Sequence, residues 1–107
     1  MTPDLSSTFW HDGQLQRLAF EMDTEGNALV KLSLALYENE QSPRRRLVAV
    51  VCARVFRFET TLDVAELKDN ARAGNIADGR VENGALSLDL TGGRVEIEAK
   101  EFRVDAV

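Results

Sequence analysis

The sequence predicts an antiparallel all-β domain, either a sandwich or a partly closed barrel of about six strands with one short helix. Three observations lead to this prediction. Apolar and polar residues alternate with the period of two that is typical of half-buried strands, helical periodicity is nearly absent, and Asn-Gly and Gly-Gly pairs separate apolar segments. With 107 residues, the chain has the size of a single domain, 1–107.

The first two predicted strands form a hairpin. Both carry their large apolar residues at every second position, and a three-residue loop at 25–27 would join them. A register that keeps all of these side chains on one side of the sheet pairs Leu18 with Leu34, Phe20 with Leu32 and Met22 with Val30.

The middle of the chain predicts a central strand followed by the short helix. Residues 38–46 are polar and form a loop, whereas residues 47–53 are apolar on both faces, as expected for a strand that is buried on two sides. The helix is expected in TLDVAELKDN (61–70), where Asp63 and Glu66 have the spacing of a capping box.

The last third predicts three consecutive strands, at 76–82, 85–91 and 94–104. Asn83-Gly84 and Gly92-Gly93 are the two turns, and Asp78-Gly79 is expected to form a bulge. The predicted pairs are Val81 with Leu86, Leu86 with Ala99, Leu88 with Ile97 and Leu90 with Val95.

Charge and composition limit the classes of partner. The net charge of −5 argues against nucleic acid or a membrane and is compatible with a basic protein. The single cysteine, Cys52, cannot form an intramolecular disulfide, and it lies in an apolar segment where a thiol is inert. Because neither a signal peptide nor a membrane-spanning segment is visible, we expect a cytoplasmic location.

Two regions are candidates for binding a partner. The predicted registers place Asp89 opposite Glu96, with Glu98 beside them and Asp78 in the same row unless a bulge displaces it; the alternative is an ordinary solvated face. The loop at 68–79 contains Asn70 and Asn75 and is either a binding loop or a turn that leads back into the sheet.

Trp10, His11 and Asp12 are a third candidate. His11 is the only histidine and the only side chain whose ordinary pKa suits acid–base chemistry near neutrality, so it and Trp10 could border a site between sheets. The alternative is an Asp-Gly turn behind two aromatic residues that pack on the sheet. The usual ligands of a metal are missing near His11, and we expect neither a metal nor a cofactor.

The chain resembles small bacterial proteins that have an aromatic-His-Asp element near the N-terminus, here Phe9 to Asp12, followed by antiparallel strands. The segment DNARAGNIADG and the later LTGGRVEIEA are similar to stretches of such proteins, some of which look like immunity proteins of polymorphic toxin systems. This resemblance implies binding rather than catalysis. Two hypotheses follow: a non-enzymatic interaction protein, which could also self-associate through uncovered sheet edges, or a small-molecule-binding protein or enzyme with a site near Trp10 and His11.

Overall fold

The computed structural model describes residues 8–62 and 75–106, which form one antiparallel sheet of six strands. The strand order is β1-β2-β3-β6-β5-β4. The predicted antiparallel all-β class is therefore confirmed. The predicted helix lies outside the described residues except for Thr61 and Leu62, which belong to a strand. The strands are β1 (Gln14–Met22), β2 (Ala28–Leu36), β3 (Arg46–Leu62), β4 (Ile76–Glu82), β5 (Ala85–Leu90) and β6 (Gly93–Ala106).

The two longest strands, β3 and β6, run next to each other through the middle of the sheet and bend together. Arg54 has a positive φ of 52°, and the pairing register shifts between Val55 and Arg57. A β-bulge of this kind increases the local twist and bends the strand. The bend lets the β1–β2 side of the sheet fold toward the β5–β4 side.

Contacts at both ends of β1 show that the sheet coils. The N–H of Asp12 donates to the carbonyl oxygen of Ile76 (3.0 Å), and Gln14 forms a single bridge with Asn75. At the far end of β1, the Phe20 ring stacks on Phe58 of β3 with 6.1 Å between the ring centroids. The sheet is not closed into a barrel, but its two edge strands meet at one end.

The core fills the inner face of this coiled sheet. The inward side chains of five strands contribute, and Trp10, only 6% exposed, covers the end where the edges meet. The core consists of Trp10, Val30, Leu32, Leu34, Leu36, Val48, Val50, Cys52, Ile76, Leu86, Leu88, Leu90, Val95, Ile97 and Ala99.

The predicted central strand is central, but it is fully buried on one face only. Val48 and Val50 point into the core, whereas Ala49 and Val51 on the opposite face are half-buried and Leu47 is 50% exposed. Because the six strands form one sheet rather than two separate layers, no other sheet covers its outer face within residues 8–62 and 75–106.

The β4–β5 hairpin has the predicted register. Val81 pairs with Leu86, and the two turn residues Asn83 and Gly84 have φ angles of 51° and 76°. Positive φ at both central positions is what a two-residue hairpin turn requires, and Asn-Gly adopts it readily.

The other two predicted hairpin registers are wrong by two residues, although the apolar side chains stay on the same face of the sheet. Phe20 pairs with Val30 and Leu18 with Leu32, because the loop is centred one residue earlier than predicted. The Asp23 carboxylate determines this position by accepting the N–H groups of Glu25 (2.9 Å) and Asn27 (2.8 Å).

The β5–β6 turn likewise comes one residue earlier than predicted, at Thr91-Gly92. The observed pairs are Leu86 with Ile97, Leu88 with Val95 and Leu90 with Gly93. Gly93 belongs to β6, where a side chain would overlap the carbonyl oxygen of Thr61 on β3.

The predicted bulge at Gly79 is also displaced. The irregularity in β4 lies between Ile76 and Asp78, and Gly79 pairs regularly with Leu88. Gly79 has a different structural role, since the Trp10 side chain packs directly against its Cα.

Candidate functional site

His11 lies on a tight turn that the core holds in place. The N–H of Gly13 donates to the carbonyl oxygen of Trp10 (2.9 Å), and Asp12 has a positive φ of 63°. Trp10 is buried in the core. His11 is exposed, with Nδ1 3.1 Å from the carbonyl oxygen of Ala77 and Nε2 3.5 Å from an Asp12 carboxylate oxygen.

An open depression of about 360 Å³ lies beside this turn. Its walls come from the turn and from the 38–46 loop, and they include Phe9, Tyr37 and Ser42. The Ser42 hydroxyl donates to the Asn39 side chain (3.3 Å) and not to His11. Within residues 8–62 and 75–106, no group of three or more His, Cys, Asp or Glu side chains is placed to hold a metal ion.

The three arginines of the 43–46 segment do not form a common anion site. Arg45 donates to the carbonyl oxygen of Asp12 (3.0 Å), and its guanidinium lies 5.1 Å from the centre of the Tyr37 ring. Arg46 binds Glu38 at 3.1 Å, and Arg44 is exposed. The segment thus fastens the His11 turn to the start of β3.

The predicted row of carboxylates does lie on the outer face of the sheet, within a larger charged surface that we call the acidic ladder. Pairing across β4, β5, β6 and the end of β3 aligns these charged side chains in rows. Carboxylates outnumber guanidinium groups, so the surface is acidic. Its members are Glu59, Asp78, Glu82, Asp89, Glu96 and Glu98, together with Arg57, Arg80 and Arg94.

The order of charges inside the acidic ladder differs from the prediction. Asp89 lies opposite Arg94 rather than Glu96, because the β5–β6 register is shifted by two residues. Arg94 contacts Asp89 at 3.5 Å and Glu96 at 3.2 Å, while Asp78 pairs with Asp89 as a direct neighbour on β4.

Arg57 connects the β3 and β6 rows of the acidic ladder. It lies 2.6 Å from Glu59 and 3.9 Å from Glu98. The hydrogen bond that Arg57 donates to Glu59, followed by the charges of Glu59 and Glu98, raises the pKa of Arg57 above its ordinary value. These side chains are exposed to solvent, so the carboxylates are accessible to a partner. Ion pairs in such a setting contribute little to stability.

A second outer surface, which we call the outer strip, follows β3. It consists of Leu47, Ala49, Val51 and Ala53. Phe56, which lies beyond the bend, also belongs to it. Phe56 is the extra residue of the bulge and is 64% exposed. The Lys100 ammonium, 6.0 Å from the centre of its ring, shows that Phe56 lies on the outer face.

Charged side chains border the outer strip on both sides. On β6 these are Arg103 and Asp105, 3.3 Å apart, and Glu101, which contacts Arg54 at 3.7 Å. On the other side, Lys31 of β2 contacts Glu21 of β1 at 3.1 Å. An apolar centre with a charged border is the usual composition of a protein-binding surface.

Sequence reasoning recognised the outer strip as apolar but assigned it to a buried face. The signal was the run of apolar residues at 47–53, which fits either two-sided burial or one buried face and one binding face. Phe56 was not singled out, because a bulge at Val55–Arg57 is not visible in the alternation.

The loop candidate at 68–79 is described only from Asn75 onward, and Asn70 lies outside the described residues. Asn75 acts through its backbone, which bridges to Gln14 and accepts the N–H of Thr91 at 3.0 Å. The part of the loop that is described therefore joins the two edges of the sheet.

In comparisons with known proteins, no protein-family model, curated protein or solved structure matches this chain. Across the described residues there is also no helix long and apolar enough to cross a membrane.

Proposed function

We propose that this protein is a non-enzymatic binding protein that holds a protein partner on the outer face of its sheet. The observation that supports this most is the outer strip. The core is already filled by the opposite face of β3, so the fold does not require Leu47, Val51 or Phe56 to be apolar. Leu47 and Phe56 are exposed and the residues between them are half-buried, and a contiguous apolar row of this kind on an outer face is typical of an interaction surface.

The charge of the molecule favours a basic partner. The acidic ladder adjoins the outer strip where β3 passes from Phe56 to Arg57 and Glu59. A partner with an apolar centre and basic groups beside it would meet both surfaces at once. The net charge of −5 would speed its association at low ionic strength.

The resemblance to immunity proteins of polymorphic toxin systems suggests a class for this partner. An immunity protein acts by binding, so the proposed activity requires neither a catalytic residue nor a cofactor. The assignment of a toxin as the partner rests on the resemblance alone.

The test is affinity capture from the cells that produce the protein, with three baits compared side by side. We expect the unaltered chain to retain a basic protein, and the variant Leu47→Glu/Phe56→Glu to lose at least about tenfold in affinity, because buried aromatic residues dominate binding energy. Arg44→Glu is the matched control, since it changes an exposed charge outside both surfaces.

The salt dependence of the captured complex tests the role of the acidic ladder. Glu96→Gln/Glu98→Gln should slow association and weaken the effect of added salt, because rim charges act mainly on the association rate. A partner that the unaltered chain, Leu47→Glu/Phe56→Glu and Arg44→Glu retain equally would contradict the proposed surface. The absence of any partner would contradict the proposed function.

The depression beside His11 favours a second candidate function, the binding of a small polar molecule. Its volume of about 360 Å³ falls within the range of ligand sites, although it is open and polar. Native mass spectrometry of the purified protein tests this candidate. A bound small molecule that is lost in His11→Ala would support it.

A further inference from the structure

The edge strand β1 is the most open edge of the sheet. In the described residues it pairs with β2 on one side, and on its other side only Gln14 forms a bridge. The regular part of the strand, Arg17–Met22, therefore presents a row of backbone N–H and C=O groups for pairing with another strand. Phe20 and Met22 are also exposed here, at 54% and 57%.

The opposite edge is less suited to pairing. β4 is shorter, has its irregularity between Ile76 and Asp78, and begins at the end where the backbone of Asp12 and Gly13 binds Ile76. Bulges and coverage of this kind are the usual ways in which proteins block an edge. The regular part of β1 contains neither a bulge, a proline nor a lysine.

The sequence of β1 is complementary to itself when two copies run antiparallel about Ala19. In that register, Arg17 lies opposite Glu21 of the second copy, and Leu18 lies opposite Phe20 of the second copy. Both pairs occur twice by symmetry, and the small side chains of Ala19 meet at the axis. Opposite charges and apolar residues that face each other across neighbouring strands stabilise the pairing.

We propose that two copies of this chain associate through β1, which joins their sheets into one continuous sheet of twelve strands, six from each copy. On the inner side, Leu18 of the second copy covers the exposed part of the Phe20 ring, which is already held against Phe58. On the outer side, Arg17 and Glu21 form ion pairs between the copies. The interface is isologous, as expected for a twofold dimer.

This self-association goes beyond the proposed binding of a partner and uses a different surface. The outer strip and the acidic ladder lie on the outer face of β3 to β6, whereas the dimer uses the edge of β1. The two surfaces adjoin at Glu21, which contacts Lys31 at 3.1 Å on the border of the outer strip, but the dimer uses no residue of the strip itself. A failure of one proposal therefore leaves the other unchanged.

Charge reversal at the two complementary positions gives a sharp test by sedimentation or light scattering. The unaltered chain should show a concentration-dependent dimer of twice 11.9 kDa. Arg17→Glu and Glu21→Arg each replace two attractive pairs by two repulsive ones, and each should raise the dissociation constant about tenfold or more. Arg44→Glu makes the same charge change as Arg17→Glu, but on a loop, and it should dimerise like the unaltered chain.

Two restored combinations distinguish the proposed register from a general effect of charge. The double variant Arg17→Glu/Glu21→Arg should dimerise again, because its charges are exchanged but still complementary. A mixture of the two single variants should form a heterodimer, since each ion pair between the copies then joins one glutamate to one arginine. Circular dichroism of each variant checks that the fold is unchanged.

The outcomes that overturn the proposal are equally definite. A chain that stays monomeric up to concentrations of about 1 mM has no specific β1 interface. A dimer that both single variants form as well as the unaltered chain uses another surface. A dimer that the single variants weaken but that neither restored combination recovers is not paired in this register.

Discussion

Gly79 shows how a single missing side chain connects the His11 turn to the sheet. A Cβ at this position would lie 2.6 Å from Cγ of Trp10 and 2.9 Å from Cδ2 of Leu88. The backbone of β4 can therefore serve as the surface on which the indole packs. This contact holds the turn in place and buries Trp10 at the end where β1 and β4 meet.

We expect Gly79→Val to lower the free energy of unfolding by about 1–3 kcal/mol, because the new side chain forces Trp10 or Leu88 out of its packed position. Arg80→Ala, which changes an exposed neighbour on the same strand, should cost no more than about 0.5 kcal/mol. Urea denaturation of both variants and the unaltered chain measures the difference. Equal effects would mean that Trp10 does not pack on this residue.

At the scale of the element, the alternation of apolar residues predicted which face each strand turns to the core, but not the pairing register. A shift of two residues leaves every side chain on its face, so the period of two cannot detect it. The pairing register of each hairpin is determined by the chemistry of its turn. Asn83-Gly84 specifies one turn and was predicted correctly, whereas the first hairpin depends on hydrogen bonds of Asp23 and the last on the approach of Gly93 to Thr61.

The bend in β3 depends on a backbone conformation that an L-residue adopts at a cost. Arg54 has a φ of 52°, which is least favourable for a β-branched side chain. We expect Arg54→Val to be less stable than Arg54→Gly by about 1 kcal/mol or more, although valine is the better strand former. Both variants lose the contact with Glu101, so that contact cancels in the comparison.

Thermal or urea denaturation of the Arg54 pair, with Arg54→Ala as the intermediate case, provides the measurement. A valine variant at least as stable as the glycine variant would show that β3 does not need a positive φ at this position. The result also bears on the binding surface, because the bulge that follows Arg54 turns Phe56 outward.

At the scale of the whole molecule, the sequence predicted the architecture better than the site. Strand order and the coiling of the sheet bring Trp10 beside Gly79 and Phe20 beside Phe58, and these pairs are far apart in the chain. Local sequence patterns do not reveal such contacts. Asp89, Glu96 and Glu98 were placed on the correct face, whereas the pairing of Asp89 with Arg94 was missed because the predicted β5–β6 register was wrong by two residues.

The filled core also predicts how stability depends on pH, through Cys52. Burial in the core raises the pKa of this thiol from 9.0 to about 12. Below pH 9 the thiol is protonated in both the folded and the unfolded chain, and its contribution to stability is complete. Above pH 9 the unfolded chain loses this proton while the folded chain keeps it, so the free energy of unfolding falls as the pH rises toward 12.

Cys52→Ala isolates this effect, because all other titrating groups cancel when the two proteins are compared. At neutral pH we expect the variant to be less stable, since it loses buried volume in the core. Between pH 10 and 11 the unaltered protein should lose about 1.4 kcal/mol of stability per pH unit relative to the variant. Urea denaturation at pH 7, 9, 10 and 11 would reveal it. If the stabilities of the two proteins changed with pH in parallel, the folded protein would accommodate the thiolate. We do not expect this, because Cys52 lies between its strand partners Val30 and Phe102.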